Sequence, residues 1–271
     1  MGSRMSDAET TATDATPTER IHRELLDDGQ LFQATLDLGK GNIVDLAAIA
    51  ELRTLAQELA GSSGLKAIVL DHTGPHFSFG ASVEDHLPGA VDEMLPQFHC
   101  LAKELLAIDL PILAVVRGQC LGGGLELALL ADRIVSAPTA HFGQPEIKLA
   151  VFAPLASLLL PQRIGRPAAI DLLLSGRSID ADTASDLGLI DELAGDPLAA
   201  ALSWAREQLY PKSAAAIRLA THAGRLQWSR RFARDLDRLE ELYLGQLMST
   251  HDAVEGIHAF LERREPVLQD D

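Results

Sequence analysis

Three consecutive glycines, Gly122-Gly123-Gly124, stand between an apolar stretch that reads as a buried strand, Leu110 to Arg117, and an apolar helical run, Leu125 to Asp132. Residues without a Cβ let the backbone take positive φ and come close to a ligand. The helix that follows points its first N–H groups and the positive end of its dipole into the same corner. Such a corner suits a developing oxyanion. Glu126 comes three residues after Gly123, about one helical turn, so its carboxyl can face the same space. The same glycines would equally serve close packing of a helix on a strand. Other glycine signatures do not fit this segment, which has no G-x-G-x-x-G, no G-K-[ST] ending and no G-x-S-x-G.

A second segment, Ala140-His141-Phe142-Gly143-Gln144-Pro145-Glu146-Ile147, places a carboxyl directly after proline and between apolar neighbours. Partial burial there would raise the pKa of Glu146 and favour its neutral, proton-donating form. Alone, a glutamate at this position also reads as a surface residue at a strand end. A helix and a returning strand separate Glu126 from Glu146, a spacing that can bring both to one pocket.

Around these segments the pattern alternates. Glu24 to Asp37 reads as a strand pair turning at Asp28-Gly29, Asp45 to Ala60 as a helix, and Lys66 to Leu70 as a buried parallel strand. A loop with His76-Phe77-Ser78-Phe79-Gly80-Ala81-Ser82 follows, then a helix from about Leu87 to Ile108 with Pro96 as an irregularity. Arg133 to Ala137 returns as a strand. From Ala168 on, the pattern is helical: Ala168–Leu174, Ala181–Leu187, Pro197–Leu209, Ser213–Leu226, Ser229–Leu247 and His251–Arg264. The expected organisation is a disordered tail over 1–18, an α/β core over 19–195, and a helical region over 196–271 that forms a lid or an oligomer contact.

A chain of 271 residues, 47% hydrophobic, can bury a large core. Its net charge of −16 disfavours nucleic acid and anionic membrane surfaces as partners. Cys100 and Cys120 form no C-x-x-C pair, so neither a disulfide framework nor a metal site is expected. No apolar run reaches the ~18 to 20 residues of a membrane span, and a cytoplasmic protein is expected.

L-G-G-G-L-E-L-A followed by F-G-Q-P-E-I, with the earlier H-F-S-F-G-A-S, resembles the crotonase (enoyl-CoA hydratase/isomerase) family from about Gly29 to the C-terminus. The resemblance implies an α/β fold, a ββα spiral core with a C-terminal helical region. It implies an acyl-CoA thioester as substrate, with CoA part of the substrate and no separate cofactor or metal. It also implies a homotrimer or a dimer of trimers. By motif position it assigns the acid–base pair to Glu126 and Glu146 and the oxyanion-binding N–H groups to Phe79 and Gly123. Substrate contacts are expected from Phe77, Gly80, Ala81, Ser82, Gly122, Phe152 and Pro154.

Retention of both glutamates favours addition of water to an α,β-unsaturated thioester. The family's I-P-G-A-G-G-T-like loop is replaced here by the bulkier Leu149 to Ser157, its usual aspartate by Ser82 and its usual small residue by Phe79. With these changes the loops Phe77–Pro88 and Glu146–Pro161 resemble most the branch that hydrates cyclohexa-1,5-diene-1-carbonyl-CoA. Straight-chain hydration, double-bond isomerisation and acyl-CoA binding without turnover stand as alternatives. His76, His86 and His99 read as loop or helix-surface residues, with assistance to the chemistry as the alternative, His141 as structural, Cys120 as a small buried residue, and Lys40, Lys148, Arg163 and Arg166 as solvated cations within the range of possible CoA contacts.

Overall fold

The structure, a computed structural model, describes residues 20–271. The segment expected to be a tail, Met1 to Thr18, lies outside the described residues. The chain opens with an antiparallel hairpin of β1 (Ile21–Leu26) and β2 (Leu31–Leu36), with Leu26 opposite Leu31. The turn closes because Asp27, Asp28 and Gly29 take φ of 52°, 55° and 78°, which short polar side chains and glycine tolerate.

α1 (Leu46–Ala60) is capped by Asp45, whose carboxylate accepts from the Ala48 N–H, and leads to β3 (Ala67–His72). α2 (Val91–Ala107) runs through Pro96 without ending, since the carbonyl that loses its partner belongs to exposed Asp92. Then come β4 (Ile112–Val116), β5 (Gln119–Leu121), α3 (Gly123–Leu129), β6 (Arg133–Ser136) and β7 (His141–Gly143). A 3-10 turn at Pro145–Leu149 leads to α4 (Pro154–Ile164), α5 (Arg166–Ser175), β8 (Ser178–Asp180), α6 (Ala181–Asp186) and β9 (Glu192–Leu193). The chain ends in α7 (Pro197–Gln208), α8 (Ala214–Gly245) and α9 (His251–Leu261).

Two sheets result. The larger has the order β1-β2-β3-β4-β6-β9, parallel except for the first hairpin; the smaller has the order β5-β7-β8. The chain therefore goes from the large sheet (β4) to the small one (β5), through α3, back to the large sheet (β6) and again to the small one (β7). Ser78 extends the pattern one turn earlier by bridging to Cys120. This is a ββα spiral, and the glycine corner lies where a strand of the small sheet enters the helix.

β3 is buried throughout because both sheet faces are covered. Ala67 and Val69 join Leu113, Val115 and Val135 against Ala201 and Ala205 of α7. Ile68 and Leu70, one residue out of phase, face the main core with Ile49 and Leu52 of α1 and Leu101 of α2.

Two expectations need correction. Residues 154–161, read as loop, begin α4, with Pro154 at the helix start where its missing N–H does no harm. Ser213–Leu226 and Ser229–Leu247, read as two helices, are the single α8. Its continuity is anchored by Arg225, which donates to the Ile108 and Leu110 carbonyls and pairs with Asp132. The small sheet is made of three-residue strands, too short to leave a periodic signal.

Candidate active site

Local pairing sets the loop at 77–82. Asn42 donates to the carbonyls of Thr73 and His76, both at 3.0 Å. The buried Ser78 hydroxyl donates to the Asn42 carbonyl (2.7 Å) and accepts from the Gly80 N–H (3.0 Å). The Phe79 N–H donates to the Gly41 carbonyl (2.9 Å), and the Ser82 N–H to that of Val44 (3.1 Å). Among the described residues the Ala81 N–H has no partner, nor does the Gly123 N–H at the start of α3. The expected donor at Phe79 is thereby corrected: its N–H is already bonded, and the free group lies two residues on.

Gly122 has φ 52° and ψ −131°, turning β5 into α3 two residues earlier than expected. The two loops touch backbone to backbone. A Cβ on Gly123 would fall 2.9 Å from the Ala81 nitrogen, and one on Gly124 would strike the Ser78 side chain. On Gly122 it would lie 2.7 Å from Glu146 Oε1. Glycine at these positions is therefore a requirement of this contact, beyond helix-on-strand packing.

Glu126, 5% exposed, accepts from the Ala156 N–H at Oε1 (2.9 Å). Burial pushes its carboxyl up to about 7, against the opposing pull of the Ala156 and Leu155 N–H groups. Glu146 is pushed up to about 8, first by burial and then by the charge of Glu126. Beside it lies Gln144, 1% exposed. With its amide nitrogen turned toward the carboxylate, the orientation that avoids oxygen against oxygen, it donates to Oε1 at 3.0 Å and Oε2 at 2.9 Å. Those bonds favour the ionised form. Two carboxyls held high in one pocket share protons near neutrality and titrate as a pair.

Both carboxyls open into a cavity of about 80 Å³. Of the expected site residues, Phe79, Gly80, Ala81, Gly122, Gly123, Glu126, Glu146, Phe152 and Pro154 line it. Phe77 and Ser82 do not. Phe77 is fully buried, edge-on to the His72 ring at 5.5 Å, and belongs to the core. Ser82 accepts at its hydroxyl from the Asp85 N–H and at its carbonyl from the His86 ring, stabilising the turn beside the cavity.

The lining includes His86, one of the histidines weighed from the sequence, and residues the sequence did not single out: Met94, Leu95, Phe98, Tyr243 and Ile257. Met94 and Phe98 stand four apart on α2, so a helical stripe was visible, but nothing marked it as cavity rather than core. Gln144 lies within the motif that pointed to Glu146. His76 accepts from the Gln119 N–H and His99 pairs with Glu240, as suits structural roles. Cys120 is fully buried, which raises its thiol pKa and keeps it protonated. Arg163 is engaged with the Leu189 carbonyl and Asp191, whereas Lys40, Lys148 and Arg166 are exposed.

A family model described as enoyl-CoA hydratase/isomerase matches residues 30–271. The chain is 51% identical over 237 residues to a cyclohexa-1,5-dienecarbonyl-CoA hydratase of Thauera aromatica, covering 88% of this chain and 92% of that protein. It is 33% identical over 229 residues to a probable enoyl-CoA hydratase of Mycobacterium bovis, covering 83% and 88%. Among solved structures, an enoyl-CoA hydratase from Bacillus halodurans matches with a TM-score of 0.82 at 22% identity, covering 89% of this chain and 99% of that chain. Another, from Mycobacterium avium subsp. paratuberculosis K-10, matches with a TM-score of 0.81 at 24% identity, covering 94% and 100%. With the spiral fold and the paired carboxyls, these matches lead to one conclusion: the chain belongs to the enoyl-CoA hydratase/isomerase family.

Proposed function

We propose that this protein is a hydro-lyase that adds water to a cyclic dienoyl thioester, cyclohexa-1,5-diene-1-carbonyl-CoA. The observation that carries the reading is the placement of two carboxyls, buried Glu126 and half-buried Glu146, in one cavity with the free N–H groups of Ala81 and Gly123. The thioester oxygen accepts from those two N–H groups, which stabilise the enolate as water adds; one such donor is worth roughly 10²- to 10³-fold in rate. One glutamate, ionised, takes a proton from water as its oxygen bonds to the ring carbon. The other, protonated, delivers a proton to carbon. Together the two steps add one H and one OH.

The apolar lining from Met94, Leu95, Phe98 and Phe152 supports a flat ring as the acyl group. The 51% identity to the Thauera aromatica hydratase supports the same choice. In this reading the backbone donors do the work of a Lewis acid, so no metal or further cofactor is required. The enzyme works in the cytoplasm as a trimer or a dimer of trimers. Exposed Leu219, Leu226 and Leu242 on α8 support a contact between copies. Among the described residues no helix is long and apolar enough to cross a membrane.

The test offers cyclohexa-1,5-diene-1-carbonyl-CoA and crotonyl-CoA to the purified enzyme in labelled water and reads products by mass spectrometry. Addition of one water to the diene is expected, reduced at least about 10³-fold by Glu126→Gln and by Glu146→Gln. Hydration of crotonyl-CoA alone would discard the ring substrate. A shifted double bond without mass gain would replace hydratase by isomerase.

A further inference from the structure

Tyr243 lies near the end of α8 with 1% of its surface exposed. Its ring packs at 60° against Phe152, centroid to centroid 5.3 Å. Its hydroxyl is buried and has no hydrogen-bond partner among the described residues. Leaving a buried hydroxyl unpaired is unfavourable, and leucine or phenylalanine would fill the same space without that penalty.

The place of the hydroxyl suggests what it is for. Tyr243 lines the cavity that holds Glu126 and Glu146, beside the apolar Met94, Leu95, Phe98, Phe152 and Ile257, with His86 also in the lining. The hydroxyl is beyond hydrogen-bond range of both carboxylates, yet near enough that their charges, after burial itself, hold it protonated. A neutral phenol that keeps its proton acts as a donor. Phenol and carboxylates line one cavity, and the hydroxyl has no protein group to donate to among the described residues.

We propose that the Tyr243 hydroxyl donates to the oxygen that the reaction adds, first as water and then as the hydroxyl on the product ring. The proposal rests on the hydratase reading. It makes Tyr243 the group that distinguishes a hydroxylated acyl ring from its deoxy counterpart, whereas Ala81 and Gly123 address only the thioester common to both. Tyr243 keeps its proton throughout, so the proton balance of the two glutamates is unchanged.

The experiment compares wild type and Tyr243→Phe, which removes one oxygen and keeps the ring against Phe152. Calorimetry measures binding of 6-hydroxycyclohex-1-ene-1-carbonyl-CoA and of cyclohex-1-ene-1-carbonyl-CoA. Wild type is expected to favour the hydroxylated ligand. The variant should lose about 10-fold of that preference, bind the deoxy ligand within about 3-fold of wild type, and melt no lower. Hydration kcat should fall by a similar factor with KM little changed.

Equal preference in the two proteins, or equal weakening of both ligands, overturns the proposal. So does a wild type that binds the two ligands alike, a result that does not depend on the variant folding. If wild type discriminates through Tyr243 but hydrates no thioester, the hydratase reading fails and the hydroxyl site stands. If it hydrates the diene and Tyr243→Phe changes nothing, the reverse holds.

Discussion

The cavity has two walls of opposite construction. One is built by the spiral: Gly80 and Ala81 on one loop, Gly122, Gly123 and Glu126 at the helix corner, and Glu146 on the 3-10 turn. Its working groups are backbone N–H groups and two carboxyls, and its parts touch where a single Cβ cannot fit. The other wall is made of side chains on helices far apart in sequence: Met94, Leu95 and Phe98 on α2, Tyr243 on α8 and Ile257 on α9. α9 comes close because Gly256 leaves room for the Leu149 backbone. The first wall concentrates constraint within a few residues and, in the proposed reading, sets the chemistry. The second spreads it over packing and, in the same reading, sets the fit of the acyl group.

The difference predicts unequal tolerance. Gly122→Ala puts a methyl 2.7 Å from Glu146 Oε1 and forces alanine to φ 52°. Hydration kcat/KM should fall on the order of 10²- to 10³-fold as Glu146 and the Gly123 N–H are displaced. Steady-state kinetics beside a melting curve would check this, and a folded variant with near-normal turnover would break the contrast. Phe152→Ala, in the loop before α4 and packed on Tyr243 of the other wall, should act on selectivity. The ratio of kcat/KM for the cyclic diene over crotonyl-CoA is expected to drop about 10-fold, with crotonyl-CoA turnover within about 3-fold of wild type. Equal losses on both substrates would show that Phe152 positions the chemistry instead.

The same contrast explains what could be read before the fold was known. Gly122 to Glu126 and Pro145-Glu146 were legible because chemistry held by backbone geometry leaves its mark in adjacent residues. The free N–H expected at Phe79 lies elsewhere because pairing with a distant segment decides which N–H is free. Gly41 takes the Phe79 N–H and Ser78 takes that of Gly80, leaving Ala81. Phe77, in the same motif, turned out to face His72 in the core. Tyr243 carried no local signal at all: one tyrosine in a 32-residue helix reaches the site only through tertiary packing. The spiral itself was legible as alternation of strand and helix, but its three-residue strands were not.

The mildest test separates the walls by pH. Glu126 and Glu146 have folded pKa values of about 7 and about 8, against 4.5 as the ordinary value. Between those limits the folded state binds more protons than the unfolded chain, so stability falls as pH rises. The contribution is fully present below about pH 4.5 and is lost as pH passes through 7 to 8. Buried His72, held at about 4, has the opposite slope between about 4 and 6.5, because there the unfolded state binds the extra proton. Wild type alone would mix these effects. The difference in melting temperature between wild type and the Glu126→Gln, Glu146→Gln double variant isolates the pair, since both proteins keep His72. That difference should shift against wild type by a few degrees between pH 5.5 and 8.5. A difference independent of pH would mean that the carboxyls ionise as they do in water, and the polar wall would lose the proton sharing on which the proposed acid–base role depends.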